Sequence, residues 1–195
     1  MKILRTPETA FEQITDFPYN PKYCEVGEGL RMHYVEEGEG PAVLLLHGEP
    51  SWAYLYRKMI PGLVAAGLRV IAPDLIGFGK SDKPSEQSDY TYVKHIQWTQ
   101  TLLDHLALKD INIFIQDWGG LIGLRLVTAN PNNFSSIVAG NTMLPTGTVT
   151  PPQAFLDWQN FATTSPKFDV ATVIQSATTT DLTPEILAAY NAPFP

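Results

Sequence analysis

Between residues 42 and 140, short apolar runs alternate with stretches of helical periodicity, and this alternation restricts the fold more than any other feature of the chain. Ala42–Leu46 is apolar at every position and ends at His47-Gly48. Arg69–Ala72, Ile111–Ile115 and Ser136–Ala139 are further short strands. Strands without polar alternation are those buried on both faces, as in a parallel sheet lying between helices. Trp52–Ala66 reads as a helix interrupted at Pro61. Thr91–Leu106 reads as a second, with Val93, Ile96, Leu102, Leu103 and Leu106 on or near one face. Leu121–Ala129 is a third and stops before Pro131. Strand and helix in strict alternation predict an α/β fold with a mostly parallel, doubly wound sheet.

Upstream, residues 1 to about 24 read as irregular, punctuated by Pro7, Pro18 and Pro21. Cys24–Val26 and Leu30–Glu36 form a strand pair turned at Gly27 and Gly29. Beyond Asn141 the pattern changes. Pro145, Gly147, Pro151 and Pro152 make a linker, and residues 153–190 read as short helices without strands. The division expected is therefore 1–141 for the sheet domain and 142–195 for the beginning of a helical domain.

Thirteen Lys and Arg against 20 Asp and Glu leave a net charge of −7. Nucleic acids and anionic membranes both want a basic patch, so neither is an expected partner. The single cysteine, Cys24, cannot form an intrachain disulfide, which fits a reducing cytoplasm. No apolar segment follows Lys2 and Arg5 as a signal peptide requires. No run is long enough to span a bilayer. No cofactor or metal is called for.

The chemistry concentrates in Ile113-Phe-Ile-Gln-Asp-Trp-Gly-Gly-Leu-Ile-Gly123. A strand ends, one acid follows, and two glycines open a helix. This is the form of a nucleophile elbow, the sharp strand-to-helix turn that lifts one side chain above a sheet. Asp117 stands at the tip, where the helix dipole favours an anion. Ile115 departs from the pattern, since a small residue is usual two places before the nucleophile. The competing role for Asp117 is a simple helix N-cap. A second motif, His47-Gly-Glu-Pro50, ends an earlier strand and can offer a backbone N–H toward that tip. The amides of Glu49 and Trp118 would then form an oxyanion hole.

Three segments together resemble haloalkane dehalogenases of the α/β-hydrolase fold: His47–Pro61, Ile71–Pro84 and Gln116–Gly120. Glu49 after His-Gly resembles the branch that carries Glu rather than Asn there. The resemblance implies that Asp117 attacks a halogen-bearing carbon and forms an alkyl ester, which water then hydrolyses. It implies two indole N–H donors for the departing halide, Trp118 and, from the helical cap, Trp158. It gives Glu49 a part in holding the water. Trp158 has a competing role in an apolar cap face with Phe155 and Phe161. Trp52 and Trp98 match no motif and read as packing residues.

The resemblance also implies an acid and a His base downstream of the elbow. None of His33, His47, His95 and His105 follows it, and His95 and His105 are expected on the wrong edge of the sheet. Asn141 stands where some dehalogenases place the acid. Asp157, Asp169 and Asp181 read as surface charges. The chain is therefore expected to be an N-terminal fragment, unable to turn over alone, whose remaining C-terminal part would be its partner. Small halogenated hydrocarbons, halide and water are the expected ligands. The rival readings are an epoxide hydrolase of the same fold and an inactive binding fragment. Tyr190 is the only tyrosine after residue 142, which weakens the first, since epoxide opening usually uses two tyrosines.

Overall fold

The computed structural model describes residues 1–145, 147–148 and 150–194. Pro195, taken above as the last residue of the helical part, lies outside them. The chain opens with a two-residue strand, β1 (Ile3–Leu4), and a 3-10 turn at Glu8–Phe11. β2 (Lys22–Glu25), β3 (Arg31–Glu37), β4 (Ala42–Leu46), α1 (Ile60–Ala65) and β5 (Arg69–Pro73) follow. After them come β6 (Lys83–Pro84), α2 (Tyr92–His105), β7 (Ile111–Gln116), α3 (Trp118–Ala129) and β8 (Phe134–Gly140). Three helices end the chain: α4 (Gln153–Thr164), α5 (Val170–Ser176) and α6 (Pro184–Asn191).

The main sheet has the order β2-β3-β5-β4-β7-β8. β2–β3 and β3–β5 pair antiparallel, while β5–β4, β4–β7 and β7–β8 pair parallel. The alternating Cβ directions of a strand send successive residues into opposite layers, so β4, covered on both faces, is apolar at every position. Leu44, Leu46, Ile71, Ile113 and Ile115 face one layer, where Trp98 and Leu102 of α2 and Ile122 and Leu126 of α3 cover them. Val43, Leu45, Val70 and Ala72 face the other, under Trp52, Tyr54, Tyr56 and Ile60. Both layers are buried, and each fully buried Leu or Ile contributes about 1.5–3 kcal/mol. Trp52 and Trp98 are packing residues, as expected, and the Trp52 indole donates to the Ala189 carbonyl at 3.1 Å.

Three expectations need correction. Residues 1–24 are not wholly irregular, because β1 pairs with β6 and Phe11 is buried. The segment after Trp52 is not a helix broken at Pro61. It is a 3-10 turn, Ala53–Tyr56, followed by α1, which starts with the proline in its first turn. A proline's missing N–H costs nothing there, because first-turn amides have no intrahelical acceptor. α3 begins three residues earlier than expected, at Trp118, directly after the elbow.

Candidate active site

Asp117 stands between β7 and α3 with φ 51° and ψ −126°, a left-handed φ that L-residues seldom adopt. Such a residue costs on the order of 1–3 kcal/mol and persists only where its surroundings impose it. The Asp117 N–H donates to the Asn141 carbonyl at 3.1 Å, and its own carbonyl accepts from Gly120 N at 2.9 Å. The Thr142 hydroxyl donates to the same carbonyl at 2.8 Å. The glycines allow the close approach. A Cβ on Gly119 would strike the Leu46 carbonyl, and one on Gly120 the Thr142 hydroxyl. Ile115 is accommodated by Gly123, one turn into α3, whose missing side chain leaves room for the Ile115 methyl. The small residue is thus supplied after the turn instead of before it.

The Asp117 carboxylate does not cap its helix. Its Oδ1 accepts instead from the Glu49 amide at 2.9 Å, and Gly48 has no side chain because a Cβ there would collide with Asp117. Oδ2 receives no hydrogen bond among the described residues. Trp118 is the first residue of α3, where an amide has no intrahelical acceptor. Of the two amides expected for an oxyanion hole, that of Glu49 therefore meets the carboxylate, and that of Trp118 has no acceptor within its helix.

Asp117, Trp118 and Trp158 line a single cavity of about 660 Å³, walled by Leu121, Thr142 and Phe155. Trp118 and Trp158 also border a neighbouring cavity of about 450 Å³ that holds Glu49, Leu75, Phe78 and His95. Trp158 both packs in an apolar cluster, against Phe161 and Phe168, and lines the two cavities. Burial, with a smaller contribution from Asp117, pushes the Glu49 carboxyl above its ordinary range.

None of the four histidines hydrogen-bonds the Asp117 carboxylate. His47 Nε2 accepts the Leu75 N–H at 2.9 Å, and Nδ1 faces the Gly48 carbonyl at 2.9 Å. His33 Nδ1 bonds Asp74 Oδ2 at 2.7 Å. His105 is exposed at the end of α2. His95 corrects the expectation: it lines the smaller cavity with Glu49 and Trp118 and does not lie on a remote edge. Burial lowers its pKa to about 4, too weak a base for work near neutrality. The helical spacing of α2 could have placed His95 near the site, had the packing of α2 against α3 been known.

A family model described as alpha/beta hydrolase fold matches residues 41–191. A haloalkane dehalogenase of Psychrobacter cryohalolentis is 55% identical over the whole chain, which spans 66% of that relative. One of Mycolicibacterium paratuberculosis is 45% identical, again over the whole chain and 67% of the relative. The chain belongs to the haloalkane dehalogenase family. The solved structure of the tetrameric haloalkane dehalogenase DpaA from Paraglaciecola agarilytica NO2 superposes on it with a TM-score of 0.95. The two are 41% identical over the whole of this chain and 67% of the other. The chain thus spans about two thirds of the length of the dehalogenases it matches.

Asn141 lines the larger cavity but carries no charge. Asp157 accepts from Gln153 on the exposed side of α4, and Asp169 caps α5. Tyr190 is buried against Tyr54, with ring centroids 5.2 Å apart, and faces neither cavity.

Proposed function

We propose that this chain carries the alkylating half of haloalkane hydrolysis, with Asp117 as nucleophile. The observation that carries the reading is the asymmetry of the Asp117 carboxylate. Oδ1 is held by the Glu49 amide, while Oδ2 is left for attack in a cavity it shares with Trp118 and Trp158. Oδ2 forms a bond to the halogen-bearing carbon as the carbon–halogen bond breaks, and halide departs with the bonding pair. Indole N–H groups only donate, so Trp118 and Trp158 suit an anion and repel nothing from it. The resulting ester carbonyl keeps Oδ1 at the Glu49 amide, and the Trp118 amide is the second donor. These donors serve the oxyanion formed when water attacks the ester. The Glu49 carboxyl faces the adjoining cavity and helps to hold that water. The substrates are halogenated hydrocarbons and water, the products alcohol, halide and a proton. We assign residues 1–141 to the hydrolase core and those from 142 onward to the beginning of a helical cap.

Water activation needs a base, and every histidine here is engaged, buried or distant. The expected behaviour of the chain alone is therefore alkylation without turnover. Incubation with a 1-bromoalkane should add the mass of one alkyl group, and Asp117→Asn should abolish the addition. Absence of an adduct, or its survival in Asp117→Asn, would overturn the assignment. Multiple-turnover bromide release would contradict the absence of a base. The epoxide hydrolase alternative is weakened for the cap portion, since Tyr190, its one tyrosine here, lines neither cavity. Among the described residues no helix is long and apolar enough to cross a membrane.

A further inference from the structure

The Glu49 N–H belongs to the peptide unit whose carbonyl is that of Gly48. In a trans peptide the C=O and the N–H point in opposite directions. Whatever grips the Gly48 oxygen therefore aims the Glu49 hydrogen. That oxygen faces three donors: the Ser51 amide at 3.0 Å, the Ser51 hydroxyl at 3.0 Å and His47 Nδ1 at 2.9 Å. A carbonyl has two lone pairs, so its acceptor capacity is more than filled.

The tautomer of His47 follows from its partners. Nε2 accepts the Leu75 N–H, so in the neutral ring the proton sits on Nδ1 and is donated to Gly48. Complete burial lowers the His47 pKa and keeps the ring neutral. Four groups then lie in series: the Leu75 amide, the imidazole, the Gly48–Glu49 peptide and the Asp117 carboxylate. Hydrogen bonds in such a series polarise one another in the same sense, which strengthens the last donor. Ser51 is itself buried and adds a second hydroxyl grip on the same carbonyl.

We propose that Ser51 and His47 are positioning residues, which clamp the Gly48 carbonyl so that the amide of the same peptide is aimed at Asp117 Oδ1. Neither touches the reacting atoms. As a role in catalysis this rests on Asp117 being the nucleophile, but the clamp itself is measurable in the resting protein.

The test is amide hydrogen exchange at single-residue resolution, by mass spectrometry, on the 195-residue chain. In Ser51→Ala the Glu49 amide should exchange about tenfold faster, the equivalent of one modest hydrogen bond. Ser51→Thr keeps a hydroxyl and should leave Glu49 protected as in the parent chain. The amides of Ala53, which donates to Asp74, and Leu75, which donates to His47, are internal controls and should not change. An unchanged Glu49 rate in Ser51→Ala would overturn the clamp. Equal acceleration at all three amides would overturn it too, since that marks general loosening. No bromoalkane is involved, so failure to alkylate Asp117 and failure of the clamp are read separately.

Discussion

At Asp117 a strained backbone, the missing Cβ atoms of Gly48, Gly119 and Gly120 and one aimed amide act together. The strain is maintained by Thr142, whose hydroxyl occupies the space a Gly120 side chain would need. Gly120→Ala is expected to destabilise the chain by about 1–3 kcal/mol, the usual range for overpacking, with a lower urea midpoint as the measurement. Glu49 offers a pH-dependent check. Burial first, and Asp117 second, raise its folded pKa above the unfolded value. The stability contributed by its neutral form is fully present below the unfolded pKa and is lost as pH rises through the folded one. Glu49→Gln should therefore match the parent chain in Tm at low pH and exceed it at pH 8, on the order of the few degrees that 1 kcal/mol gives. Equal Tm values across that range would show that the charge is not penalised.

The elements bearing the site are tied together by a carboxylate outside it. Asp74, just after β5, accepts from Ala53 N at 2.7 Å, from His33 Nδ1 at 2.7 Å and from Lys80 N at 2.8 Å. It links β3, the segment after the oxyanion loop and the loop running to β6. Burial alone would raise the Asp74 carboxyl, but the adjacent His33 and the bonds it receives hold it below its ordinary range. A depressed carboxyl stabilises above its unfolded pKa, and that contribution is lost as pH falls through the folded one. Asp74→Asn leaves a buried imidazole without its anionic partner. It should cost about 1–3 kcal/mol, the range for an orphaned buried hydrogen bond, seen as a lower urea midpoint at pH 7 and a smaller difference in strong acid. The 3-10 turn and α1 behave differently. In the sequence Pro61 marks a helix start as readily as a break, and only the chain's path over Val70 and Ala72 decides which.

On the scale of the whole molecule, the sheet ends on an uncovered strand. β8 pairs with β7 on one side only, and Ile137 and Val138 are 44% and 56% exposed on its two faces. A seven-residue edge strand with apolar residues on both faces is a template for association. The 195-residue chain is expected to self-associate with rising concentration in sedimentation velocity, and Val138→Lys should reduce this. A monomer at every concentration, with a cooperative urea transition, would contradict it.

Periodicity and local chemistry are properties of short segments, and these the amino-acid order determined unaided. The two-faced strands, α2, and the strand–Asp–Trp–Gly–Gly turn were all legible because each is set by residues within a few positions of one another. The Glu49 amide was legible as a donor aimed toward the elbow tip, but its acceptor there, Asp117 Oδ1, was not. Contacts between distant segments were not encoded locally. That Oδ1 meets Glu49 across 68 positions was decided by the parallel pairing of β4 with β7, and that Gly123 makes room for Ile115 and His95 enters a cavity beside Glu49 by how α3 and α2 pack on the sheet. Packing sums many weak, non-directional contacts over the whole core, so no single stretch of sequence carries it.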